Sequence, residues 1–221
     1  MGLKVPEEVK ALIFDCDGTI INSESIHCEA VSAALNECGL KMDIETVEKR
    51  FRGYHDGQIY DELFNENSNI RKDDFLTIKT NKLLKTLNEI PIEVLHKLLA
   101  PGFLDAIRNL SEKYIFALVS SSEDAFLQTL TQRLEIKNYF KLIVHGNTTA
   151  FPKPSPAPYT HTLRELGLHQ DEVLIFEDSV PGLTSAVASG CEVLWMRAFH
   201  PEVTSDIHKV VLSCDDYYWL S

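Results

Sequence analysis

The chain has 221 residues, enough for one substantial domain or a core domain carrying a smaller insert. Its hydrophobic content of 44% and charged content of 24% suit a globular enzyme. A net charge of -12 argues against a nucleic-acid or anionic-membrane surface, because such surfaces cluster Lys and Arg.

No apolar run reaches the roughly 20 residues of a membrane span, and the opening MGLKVPEEVK lacks a signal peptide's apolar region. Five scattered cysteines, Cys16, Cys28, Cys38, Cys191 and Cys214, form no CxxC pair and are odd in number. That pattern argues against a disulfide framework or a zinc site and for a reducing, cytoplasmic compartment.

In chain order, short unbroken apolar runs predict buried strands: ALIF (11–14), IFALVS (115–120), KLIVH (141–145), EVLIFE (172–177) and EVLWM (192–196). The C-terminal VVLSCDDYYWLS predicts one more. Helical patterns separate the later runs, as in EDAFLQTLTQRLEI with Phe126, Leu127, Leu130 and Leu134 on one face. Alternation of this kind predicts an α/β fold with a doubly wound, Rossmann-like parallel sheet. Between the first two runs, residues 22–97 read as mostly helical, far longer than a crossover needs. The chain is therefore expected to hold a core of residues 1–21 and 98–221, with a helical domain inserted at 22–97.

Ligands of an open parallel sheet bind outside the carboxyl ends of its strands. The first run ends in Asp15 and Asp17, followed by Gly18 and Thr19; the second ends in Ser120, Ser121 and Ser122. Beyond the third lies Lys153 in FPKPSPAPY, and the fourth ends in Glu177 and Asp178. Four carboxylates at one rim repel one another unless a cation joins them, and oxygen-only ligation suits Mg²⁺. With Asp17 protonated, Mg²⁺ and Lys153 balance the other three acids, so a phosphate dianion can approach. An aspartate can then attack phosphorus, and an acid two residues on can serve as proton donor and acceptor.

These residues match a known pattern. DCDGTI resembles the DxDGT signature of the haloacid dehalogenase superfamily, and Ser120, Lys153 and Glu177-Asp178 match its other three motifs in order. The resemblance implies Asp15 as nucleophile and Asp17 as general acid/base. It implies Ser120, with Ser121, and Lys153 as phosphoryl ligands. Mg²⁺ would be held by Asp15, the Asp17 carbonyl and Asp178, with Glu177 beside it, directly or through water. The helical insertion matches the cap of β-phosphoglucomutase-like and phosphoglycolate-phosphatase-like members.

Within the insertion, His27 and Arg52 match cap positions of β-phosphoglucomutase, but its phosphate-gripping arginine falls on Asp56 here. An acid there would repel a second phosphate, which favours a phosphatase acting on a small sugar or polyol phosphate. A phosphosugar mutase is the alternative, and a phosphoacceptor module or an inactive binding protein are further ones. Without resemblance, Glu177-Asp178 could be a helix cap and Ser122 is expected to be one. Cys16 is expected to pack at the strand end. A monomer is expected, since no exposed apolar stripe is evident.

Overall fold

A computed structural model of the chain describes residues 4–51, 56–64, 69–199 and 212–220. Its contacts divide into two compact units, one of residues 1–22 and 95–221, the other of residues 23–94.

The first unit is built on a parallel sheet. Its strands are β1 (Ala11–Phe14), β2 (Ile115–Val119), β3 (Phe140–Val144), β4 (Val173–Glu177), β5 (Glu192–Met196) and β6 (Leu212–Cys214). They are ordered β3-β2-β1-β4-β5-β6 and every adjacent pair is parallel. The doubly wound sheet expected from the apolar runs is present. β1 lies between β2 and β4, so all four of its residues are buried and no polar residue is tolerated along it. Alternate β1 side chains serve opposite faces. On one, Phe14 stacks on Phe176 at 4.8 Å and meets Phe103 edge-on at 5.7 Å. On the other, Ala11 and Ile13 pack with Val119, Ile175 and Tyr159.

β3 departs from the expectation that each apolar run is covered on both faces. It is an edge strand, and Leu142 and Ile143 are only partly buried. An unbroken apolar run does not reveal whether a strand has a neighbour on one side or two.

The helices of this unit are α6 (Phe103–Leu110), α7 (Asp124–Arg133), α8 (Ala157–Leu166) and α9 (Val180–Ala188). α9 starts as its sequence suggests: Pro181 occupies its first turn and the Ser179 hydroxyl accepts from the Gly182 amide. At α7 the cap position falls on Glu123 rather than Ser122.

The second unit holds α1 (Glu24–Glu37), α2 (Ile44–Phe51), α3 (Asp56–Leu63) and α4 (Lys72–Glu89). α5 (Ile92–Lys97) spans the point where the chain returns to the first unit. Val31, Leu35, Val47, Phe51, Ile59 and Phe75 form a core of its own. Its Phe75 is fully buried, and stacked Tyr60 and Phe64 lean on that ring.

Candidate active site

The strand order reverses at β1: the chain continues to β2 and β3 on one side, and β4 returns on the other. A crevice at the carboxyl ends is the geometric consequence. Asp15 extends β1 by one ladder bond, its amide donating to the Phe176 carbonyl at 2.9 Å. Asp178 follows β4 directly, so the two carboxylates emerge from neighbouring strands. Asp15, Glu177 and Asp178 are all buried, and each offers an oxygen within 4.8 Å of the others.

Lys153 reaches this cluster from the loop after β3. Its ammonium donates to Asp15 Oδ1 at 2.7 Å, Glu177 Oε1 at 2.5 Å and the Val119 carbonyl at 2.9 Å. Those three acceptors use all three donors of an ammonium group, which is how a lysine only 5% exposed is satisfied. Burial works against its charge, but Asp15 and Glu177 more than offset it and hold the pKa well above the usual lysine range.

One ammonium does not balance the acids. Burial raises the Asp15 carboxyl well above the usual carboxylate range; Lys153 opposes this, while Glu177, Asp178 and Asp17 add to it. Burial, with Glu177 adding, pushes Asp178 up to about 8 against the pull of Thr19 and Lys153. The surplus negative charge and all-oxygen donor set fit a small hard dication such as Mg²⁺. Cys16, between the two aspartates, is 1% exposed, and burial first and then Asp17 and Asp15 push its thiol up, so it stays protonated packing.

Glu177 is the most enclosed of the acids, at 0% exposure. Oε1 accepts from Lys153 and, at 2.8 Å, from the Tyr159 hydroxyl. Oε2 accepts from the Asp178 amide at 3.0 Å and faces the Ser179 amide and hydroxyl at 3.4 Å. Gly182 is required beside it, since a Cβ there would run into this carboxylate.

Asp17 is half-buried and turns to the end of β2. Its Oδ2 accepts from Ser122 Oγ at 2.6 Å and Ser120 Oγ at 3.2 Å. The expected capping role of Ser122 is thereby corrected: its hydroxyl is spent on Asp17, and the strand end rather than the helix start places it. Its amide donates to Ser120 Oγ at 2.9 Å, so the two serines form one small turn. Ser121, between them, is exposed. Gly18 has φ +87°, and a Cβ on it would meet the Asp178 carboxylate. Thr19 Oγ1 donates to Asp178 Oδ1 at 3.0 Å.

The structure thus gathers Asp15, Asp17, Ser120, Lys153, Glu177 and Asp178. His27 lies half-buried on α1 in the other unit, and Arg52 lies outside the described residues. Asp56 is not a bare charge: its carboxylate pairs with Lys79 at 2.5 Å, and that lysine side chain is 3% exposed. Repulsion of a second phosphate, inferred from the sequence at Asp56, loses its force in a neutral pair. Sequence reasoning gave no role to Thr19 or Tyr159, and misassigned Ser122. Thr19 stood inside the quoted motif; Tyr159 carried no signal beyond an aromatic after PKPSPAP.

A family model described as haloacid dehalogenase-like hydrolase matches residues 12–196. A probable pseudouridine-5'-phosphatase of Saccharomyces cerevisiae is 31% identical over 212 residues, covering 89% of this chain and 85% of that protein. The 6-phosphogluconate phosphatase of Escherichia coli is 27% identical, covering 90% and 91%. Among solved structures, CbbY from Rhodobacter sphaeroides in complex with phosphate superposes with a TM-score of 0.81 at 20% identity, covering 95% of each chain. That last likeness is one of fold.

Proposed function

The chain belongs to the haloacid dehalogenase-like hydrolases, and on that premise we propose that it is a Mg²⁺-dependent phosphatase of small sugar or polyol phosphates, working through an aspartyl-phosphate intermediate. The observation that carries the reading is the Lys153 ammonium on Asp15 inside a buried acidic cluster, with Asp17 two residues along held separately by two hydroxyls.

In the first step an Asp15 carboxylate oxygen attacks phosphorus as the bond to the ester oxygen breaks. Asp17 gives its proton to the departing alkoxide. In the second, Asp17 takes a proton from water, the water oxygen attacks phosphorus, and the bond to Asp15 breaks to release phosphate. Lys153, Ser120 and Ser121 hold the phosphoryl oxygens, together with amides at the start of α7. Asp15, Asp178 and the Asp17 carbonyl would hold Mg²⁺, with Glu177 beside it, and the ion would neutralise charge on the transferring group. Crowding of both Glu177 oxygens by protein donors favours a role for that residue through Lys153.

On this reading residues 22–97 are the cap of such enzymes and select the substrate, with His27 and Arg52 as its candidates, and residues 1–21 and 98–221 are the catalytic core. Curated relatives named for pseudouridine 5'-phosphate and 6-phosphogluconate support a phosphorylated carbohydrate substrate. Five free thiols support a cytoplasmic enzyme, taken here as a monomer.

The test is phosphate release from a panel of sugar, polyol and glycolate phosphates with Mg²⁺, wild type beside Asp15→Asn, with a sugar-phosphate isomerisation assay on the same samples. Release confined to wild type is expected. Isomerisation without net release, dependent on a bisphosphate primer, would replace the phosphatase with a mutase.

A further inference from the structure

We propose that Tyr159 is a positioning residue for the phosphoryl-binding lysine, acting through Glu177. The inference rests on the reading of Lys153 given above. Tyr159 sits in the first turn of α8, six residues after Lys153, and is fully buried. Its ring packs with Ile13, Val119 and Ile175 beneath the sheet. A buried phenol needs a partner for its hydroxyl. Here the partner is Glu177 Oε1, the same oxygen that receives Lys153.

One carboxylate oxygen offers two lone pairs, so the tyrosine and the lysine fill Oε1 between them. With Oε2 on the Asp178 amide, the Glu177 carboxylate is pinned at both ends. The lysine is then bounded on a second side by the tyrosine ring itself, its Nζ 5.0 Å from the ring centroid, within the range of a cation–π contact. One short segment therefore supplies both the lysine and its clamp. When a phosphoryl oxygen competes with Asp15 for one ammonium proton, Glu177 and the Val119 carbonyl keep the other two, and Nζ stays in place.

A tyrosine that merely filled the core would affect stability and leave phosphate recognition untouched. The test compares wild type with Tyr159→Phe, both well below their unfolding temperatures, for kcat, KM and competitive inhibition by inorganic phosphate. The positioning role predicts a fall in kcat/KM of about tenfold, carried mainly by kcat, and a matching rise in the phosphate inhibition constant. Values within twofold of wild type would overturn it. Incorporating p-aminophenylalanine at position 159 keeps the ring and a donor at its para position, and is expected to restore both quantities to within about threefold. If the Phe variant is not recovered folded, this second variant decides, and a tenfold loss in it overturns the proposal. Wild-type enzyme that releases no phosphate from any substrate defeats the phosphatase reading instead; a normal Tyr159→Phe enzyme defeats only this one.

Discussion

Lys153 and Glu177, 24 positions apart and on different sides of β1 in the sheet, meet at 2.5 Å with side chains 4% and 0% exposed. Neither charge is affordable alone in that setting, because an unpaired buried ion costs several kcal/mol. The pair ties the loop after β3 to the end of β4.

Removing the lysine tests this directly. Lys153→Met keeps much of the side-chain volume but leaves Asp15 and Glu177 facing Asp178 without a cation. We expect a loss of about 3–5 kcal/mol in unfolding free energy, the usual range for breaking a buried pair, together with loss of turnover. Urea unfolding monitored by circular dichroism reads the first; a midpoint equal to wild type would show that the pair contributes no stability.

Asp15→Asn should abolish phosphate release while leaving the unfolding temperature close to that of wild type, or above it, since a buried carboxylate is replaced by a neutral group. Steady-state assay with thermal melts on the same preparation checks both. Retention of more than a few per cent of activity would remove the nucleophile assignment.

Asp17→Asn should slow turnover by about 10²–10⁴-fold, the range of general acid/base catalysis. Ser122→Ala takes away the 2.6 Å bond to Asp17 and should lower kcat by roughly tenfold. An unchanged kcat in Ser122→Ala would mean that Ser120 alone orients the acid.

The raised Asp178 carboxyl sets a pH dependence for the metal-free protein. Folding pushes this carboxyl from its ordinary 3.8 up to about 8, so between those limits the folded state binds a proton that the unfolded state has released. The stabilising contribution is complete below the lower limit and is lost as pH rises towards the upper one. In chelator, the melting temperature should fall from pH 6 to pH 8 more steeply for wild type than for Asp178→Asn, and Mg²⁺ should raise it more at pH 8 than at pH 6. Identical slopes for the two proteins would defeat this.

Gly18→Ala places a Cβ in the left-handed region at φ +87° and into the Asp178 carboxylate. A destabilisation of more than about 1 kcal/mol is expected, with weaker Mg²⁺ stabilisation in thermal shift. Wild-type behaviour in both would show that the β1–β4 rim adjusts freely.

The strands and the residues at their ends were legible in the chain itself. ALIF, IFALV and VLIF are continuous apolar runs because β1, β2 and β4 are interior strands with side chains buried on both faces, and the acids and serines appear at the last residue of a strand or just past it. Which polar side chains answer one another was not legible. Ser122 meets Asp17 across 105 residues and Thr19 meets Asp178 across 159, and both contacts exist only because the strand order brings β1 between β2 and β4. Tyr159 reads in sequence as one more apolar helix position, and only burial, which forces its hydroxyl to find Glu177, sets it apart. Asp56 reads as a free acid until α4 supplies Lys79. Local pattern determined what each segment is, since periodicity and burial act along the chain; the tertiary structure decided which charges are partnered, since Coulomb and hydrogen-bond energies depend on distance through space.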